Sequence, residues 1–235
     1  MMEPVIRVDG ADADAFHGQA VLDWPKLLWN FGNIGLAIIF APMFFSWGAL
    51  AMFLCLTYSS LLIGHSIGMH RMMIHRSFSC PKPVEYLLVY IGTLVGVAGP
   101  FGILRTHDLR DWAQRQPVAH DYFTHRRWLL VDLLWQLAYR FEFTAPPHFT
   151  IEASKAHDRM YRFLESTWRL QQLPLAALLF YLGGWSWVIW GICLRVSVSV
   201  VGHWTITYYC HSSELVSKGS GRWHVTGAGD RKSVV

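Results

Sequence analysis

Seven of the twelve histidines in this 235-residue chain fall into four short stretches: His65, His70 and His75; His107; His120 and His125; and His211. The chain is 53% hydrophobic, and ionisable groups near a bilayer are costly enough to be kept for chemistry, so the grouping points to a metal site. His70 and His75 are five residues apart. On an ideal α-helix that spacing puts them about 140° apart, so they meet at one ion only where the helix ends or bends. The competing reading is two interfacial histidines beside Arg71 and Arg76. His107 and Asp111 are four apart and share a helical face. Imidazole and carboxylate together suit non-haem iron, and Asp108 is placed to orient His107. A solvated salt-bridge helix of Asp108, Arg110 and Asp111 is the alternative. His120 and His125 repeat the five-residue spacing and join the candidate ligands, again with interfacial histidines as the competing reading. His211 closes the last apolar stretch at a predicted membrane exit. His203 reads as buried and hydrogen-bonded, and His17, His148, His157 and His224 read as surface residues.

The elements that must position these residues are apolar. One stretch runs from about residue 27 to 45, near the roughly 20 residues that span a bilayer. Pro42, Ser46 and Gly48 allow a reversal, and a second stretch from about 49 to 67 ends at the first histidines. A third stretch, about 84 to 104, contains Gly92, Gly96, Gly99, Pro100 and Gly102. If the first and second histidine stretches share a metal, this third stretch must enter and return or lie along the membrane face. Residues 155–170 predict an amphipathic helix near the headgroups. Pro174 opens a further stretch, Gly183-Gly184 breaks it, and the last stretch reaches about Cys210. Trp185, Trp187 and Trp190 suit an interfacial belt. The expected fold is all-α: a four-span transmembrane helix bundle with a cytosolic His-rich cap, the histidine stretches and both termini being cytoplasmic.

Composition agrees. Only 15% of residues are charged, against roughly a quarter in soluble domains. Arg71, Arg76, Arg126 and Arg127 lie beside apolar runs, as cytoplasmic loops do. No nucleic-acid-binding fold is visible behind the net charge of +4. Cys55, Cys80, Cys193 and Cys210 form no Cys-x-x-Cys pair and suggest neither a disulfide framework nor a zinc-thiolate site. The polar, acid-rich N-terminus leaves the first span to direct insertion.

The segment His70-Arg-Met-Met-Ile-His-Arg-Ser-Phe78 resembles the first histidine box of the delta-nine acyl-CoA and acyl-lipid desaturases. The order of hydrophobic and polar segments is similar over nearly the whole chain. Arg195, Trp204 and His211 fall in the register of an Arg, a Trp and a ligand His in that family's last span. The resemblance implies His70, His75, His107 and His211 as iron ligands; Asp111, His120 and His125 are added from spacing alone. It further implies two non-haem iron ions, O2 as cosubstrate, a fatty acyl lipid or thioester substrate, and electrons from a ferredoxin, cytochrome or reductase. There are departures. The second box of the family is His-x-x-His-His, and here it reads His107-Asp-Leu-Arg-Asp111. Arg110 stays protonated and does not ligate iron. Thr207 replaces an Asn, and the final His-x-x-His-His box is absent.

Residues 230–235, Asp-Arg-Lys-Ser-Val-Val, match the translation of a common short-read sequencing adapter. The expectation is therefore one desaturase-like domain over residues 1–229, incomplete at its C-terminus and inactive as a fragment. A related membrane hydroxylase or monooxygenase, and a catalytically degenerate membrane scaffold, are the competing functions.

Overall fold

The computed structural model describes residues 6–211, the side chain of His211 excepted. The expected adapter-derived tail, and His224, lie outside the described residues.

Helices dominate. Helix α1 (Trp24–Phe40) starts where the Asp23 carboxylate accepts a hydrogen bond from the Lys26 amide at 3.0 Å, with Pro25 in its first turn. Such a cap contributes about 1 kcal/mol. Ser46 caps α2 (Trp47–Tyr58) in the same way through the Ala49 amide. Helix α2 continues without a break into a π-wound segment, Ser59–Ile74, and together they form a 28-residue apolar helix.

Next come α3 (Lys82–Thr93) and α4 (Pro100–Gln114), joined by a turn at residues 94–99. That turn is pinned within the bundle. The Trp29 indole donates to the Gly96 carbonyl at 2.8 Å, Gln172 donates to the Leu94 carbonyl at 3.1 Å, and the Arg195 guanidinium donates to the same Leu94 carbonyl. Gly96 has φ of +80°, and an added Cβ would lie 2.9 Å from a Val196 methyl. Glycine meets both demands at once. The third apolar stretch is thus two helices joined by a turn, not one continuous helix.

Short helices α5 (Asp121–Thr124) and α6 (Leu129–Ala138) follow. Four strands modify the all-α expectation: β1 (Val8–Asp9) pairs antiparallel with β4 (His148–Phe149), and β2 (Gly18–Leu22) with β3 (Tyr139–Phe143). They tie the N-terminal segment to the polar region after α4. The expected amphipathic helix over 155–170 is two pieces, α7 (Ala153–Ala156) and α8 (Arg159–Thr167). The break occurs because Asp158 turns to cap α8, accepting from the Met160 amide at 2.9 Å.

The last apolar region comprises α9 (Gln172–Val188), a π turn at Ile189–Leu194, and α10 (Arg195–His211). It reverses at Gly184, whose φ is +63° and ψ −157°. Leu179 and Ile192 share one hydrophobic cluster with Met52, and Arg195 donates to the Gln172 side chain at 2.5 Å. On one straight helix residues 179 and 192 would be about 20 Å apart, so the two arms must run antiparallel. The helix of Trp47–Ile74 and the region Gln172–Cys210 are long and apolar enough, by length and composition, to cross a membrane.

Candidate metal centre

The π winding answers the problem posed by a five-residue spacing. A helix with i→i+5 bonds carries a little over four residues per turn, so residues five apart lie about 50° apart instead of 140°. The His75 amide donates to the His70 carbonyl at 3.0 Å, an i→i+5 bond that closes the segment. His65, His70 and His75 therefore climb one side of it.

Packing against α3 holds this segment in place. Gly64 and Gly92 meet backbone to backbone: a Cβ on Gly64 would lie 2.3 Å from the Gly92 nitrogen. Met69, Met73, Leu104, Tyr161 and Leu164 fill the core between this helix, α4 and α8.

Helix α4 brings His107 to the pair. The ring centroids of His70 and His75 are 4.4 Å apart, those of His70 and His107 5.3 Å, and those of His75 and His107 5.1 Å. The Nε2 atoms of His70 and His75 are 3.2 Å apart. One ligand atom from each of the three lies within 4.8 Å of the others. Metal–imidazole bonds of 2.0–2.1 Å put the centroids of two rings sharing an ion about 4.5–5.5 Å apart, so the three rings already have the separations that one ion requires.

The surroundings favour the ligating form. Burial, and then the neighbouring His107, lower the pKa of His75, which favours the neutral imidazole that binds metal. His107 Nδ1 lies 3.1 Å from Asp108 Oδ1. An ionised carboxylate only accepts, so His107 carries its proton on Nδ1 and leaves the Nε2 lone pair free. Burial alone would raise the Asp108 pKa, but hydrogen bonds from His107 and Arg7 outweigh it and hold the carboxyl below its usual range.

Asp111 stands at the edge of this group, its Oδ2 3.7 Å from His107 Nδ1 and its Oδ1 3.7 Å from Arg110. His120 and His125 lie elsewhere. His120 accepts from the Tyr122 amide at the start of α5 and packs against Trp135 and Phe141. His125 is 2% exposed, has φ of +52°, and bonds through Nδ1 to both oxygens of the fully buried Asp132 at 3.0 and 3.1 Å. Trp204 donates to the same carboxylate at 2.8 Å. His211 ends α10, and its side chain lies outside the described residues. His203 is half-buried and forms an edge-on ring contact with His65 at 5.2 Å.

Two partners escaped the sequence reading, Arg7 and Glu152. Each is a charged residue far in sequence from His70, His75 and His107, with no spacing to connect it to the site.

The fold and the site together define a helical, membrane-associated protein with converging imidazoles at one end of an apolar helix. The chain is 34% identical over 177 residues to an sn-1 stearoyl-lipid 9-desaturase of Anabaena variabilis, covering 74% of this chain and 64% of that protein. It is 33% identical over 191 residues to an sn-1 stearoyl-lipid 9-desaturase of Synechocystis sp., covering 78% and 57%. It is 31% identical over 195 residues to an sn-2 palmitoyl-lipid 9-desaturase of Nostoc sp., covering 80% and 67%. The chain belongs to the fatty-acid desaturase family. The matched region spans about three-fifths of the length of these relatives. No protein-family model and no solved structure matches the chain.

Proposed function

We propose that this chain is the membrane-embedded, iron-binding part of an acyl-lipid desaturase that introduces a cis double bond using O2 and an electron donor such as a ferredoxin or cytochrome. The observation that carries the reading is the meeting of His70 and His75 with His107, 32 residues further along the chain, at separations suited to one ion. Similarity to lipid 9-desaturases supports a fatty acyl substrate.

Iron held there would supply the oxidant for removing hydrogen from an unactivated methylene, which side chains alone do not provide. His70, His75 and His107 would bind one ion as neutral imidazoles. Asp108 fixes the tautomer and orientation of His107. A second iron would draw on His211, with Asp111 adjacent to the first ion. The buried contacts of His125 suit it to orienting α10 through Asp132 and Trp204.

Four apolar segments support four crossings: α1, α2 with its π extension, and the two arms that reverse at Gly184. The turn at residues 94–99 enters and returns, which keeps His75 and His107 on one side, read as cytoplasmic from the nearby arginines. An apolar groove of about 590 Å³ between α1 and α10, lined by Ile34, Ala37, Ile38, Leu194, Val198 and Ile206, suits an acyl chain.

The test is incubation of the full-length protein in membranes with acyl lipids, reduced ferredoxin and O2, followed by mass spectrometry. An alkene product lost in His70→Ala supports the proposal. An alcohol would make the protein a hydroxylase, and no product with no bound iron would leave a non-enzymatic scaffold.

A further inference from the structure

The residues before the first span have no histidine ligand and no motif, yet one of them reaches the metal-binding end. Arg7 is 5% exposed and lies at the entrance to β1. Its Nη1 donates to Asp108 Oδ2 at 2.9 Å and to the Ile74 carbonyl at 3.3 Å. Its Nη2 donates to Glu152 Oε1 at 2.7 Å and to the Met73 carbonyl at 3.3 Å, and Nε donates to Glu152 Oε2 at 3.1 Å.

These contacts are selective. Met73 and Ile74 end the π segment immediately before His75, and their carbonyls are among the orphan acceptors that a helix terminus leaves. Asp108 is the carboxylate bonded to His107. One guanidinium therefore touches the backbone that presents one candidate ligand and the side chain that orients another. A rigid fork of donors can hold both directions at once, which a flexible ammonium does less well. Strand β1 pairs with β4, and the Thr150 amide donates to the Arg7 carbonyl at 2.8 Å, fixing the arginine backbone as well.

We infer that Arg7 is a positioning residue of the metal centre, setting the angle between His75 and His107 through Asp108 and the end of the π segment. The inference rests on the metal reading above. The N-terminal segment is then a working part of the site.

Purified chain in detergent, titrated with Co2+ and followed by its visible absorption, tests this. Removing a partner that orients a metal-bound histidine typically weakens metal affinity 10–100-fold. Arg7→Met and Asp108→Asn should each weaken Co2+ binding at least tenfold and change the shape of the visible bands. The double variant should be weaker than Asp108→Asn alone but by less than the full Arg7→Met effect, because the two residues share His107 while Arg7 also holds the backbone before His75. Arg7→Lys should recover part of the affinity. Glu152→Gln, which loosens the same segment without touching Asp108, should change affinity less than threefold.

If Arg7→Met lowers the melting temperature, the cycle is run with Arg7→Lys in its place. Unchanged Co2+ affinity and spectrum in the Arg7 variants, or an Arg7 effect that adds fully to Asp108→Asn, overturns the inference. Unchanged affinity in His107→Ala overturns the metal reading itself, so the two failures are distinguishable.

Discussion

Replacing Gly64 by alanine perturbs the metal centre without touching a ligand. The new Cβ would lie 2.3 Å from the Gly92 nitrogen and 2.5 Å from the Ile91 carbonyl carbon. Both are backbone atoms of α3, so no side-chain rotation relieves the clash. Restoring an ordinary contact of about 3.5 Å requires the π segment and α3 to part by roughly 1 Å. Overpacking of this kind costs about 1–3 kcal/mol, and a chain of this size loses about 2–4 °C in melting temperature per kcal/mol. The same displacement carries His65, His70 and His75 away from α4, whereas metal–ligand distances tolerate only about 0.2 Å. Gly64→Ala should therefore melt several degrees lower and bind Co2+ at least tenfold more weakly. Gly35 on α1 is the control, since its Cβ would meet nothing within 4 Å. Gly35→Ala should be neutral or stabilising by about 0.4–1 kcal/mol. The assay is thermal unfolding in detergent by tryptophan fluorescence, with a Co2+ titration on the same samples. Equal melting and equal affinity in Gly64→Ala and the parent chain would refute the packing argument.

Three further outcomes follow from buried polar groups. Asp132→Ala strands the His125 and Trp204 donors and should destabilise by about 2–4 kcal/mol, read as a fall in melting temperature; a shift under one degree contradicts it. Arg195→Met should release the turn at residues 94–99 by removing the bonds to Leu94 and Gln172, read as faster hydrogen exchange at Gly96; unchanged exchange contradicts it. For Glu152, burial raises the pKa, but the hydrogen bond from Arg7 prevails and holds it at about 2, against 4.5 for the free side chain. A depressed carboxyl contributes stability above its unfolded pKa and loses it as pH falls through the folded one, so the Arg7–Glu152 pairing should weaken between about pH 4.5 and 2. Glu152→Gln should flatten that part of a melting-temperature profile; an unchanged acid limb contradicts the assignment.

Much of the fold was legible because it rests on local rules. Apolar runs, the reversal allowed by Pro42, Ser46 and Gly48, and the Gly183-Gly184 break mark the helices and their reversals. That residues 84–104 are not one continuous helix followed from requiring His75 and His107 to meet, and bonds from Trp29, Gln172 and Arg195 hold the turn at residues 94–99. The π winding of residues 59–74 leaves no mark in the sequence, because at 3.6 residues per turn His70 and His75 meet only across a bend. The strand pairs and the contacts of Arg7 were also hidden, since they join parts of the chain some 65 to 145 residues apart and leave no local pattern. Spacing alone overvalued the pair at 120 and 125: His120 caps α5 and His125 turns in the left-handed region to face Asp132.

The proposed metal centre requires His70, His75 and His107 to share one ion. X-ray absorption at the zinc edge, on the chain loaded with half an equivalent of Zn2+, tests this most directly. The expected result is a shell containing three imidazole nitrogens at about 2.0–2.1 Å, lost in a variant with His70→Ala and His107→Ala together. A shell of oxygen alone, or a spectrum unchanged by those substitutions, would contradict it.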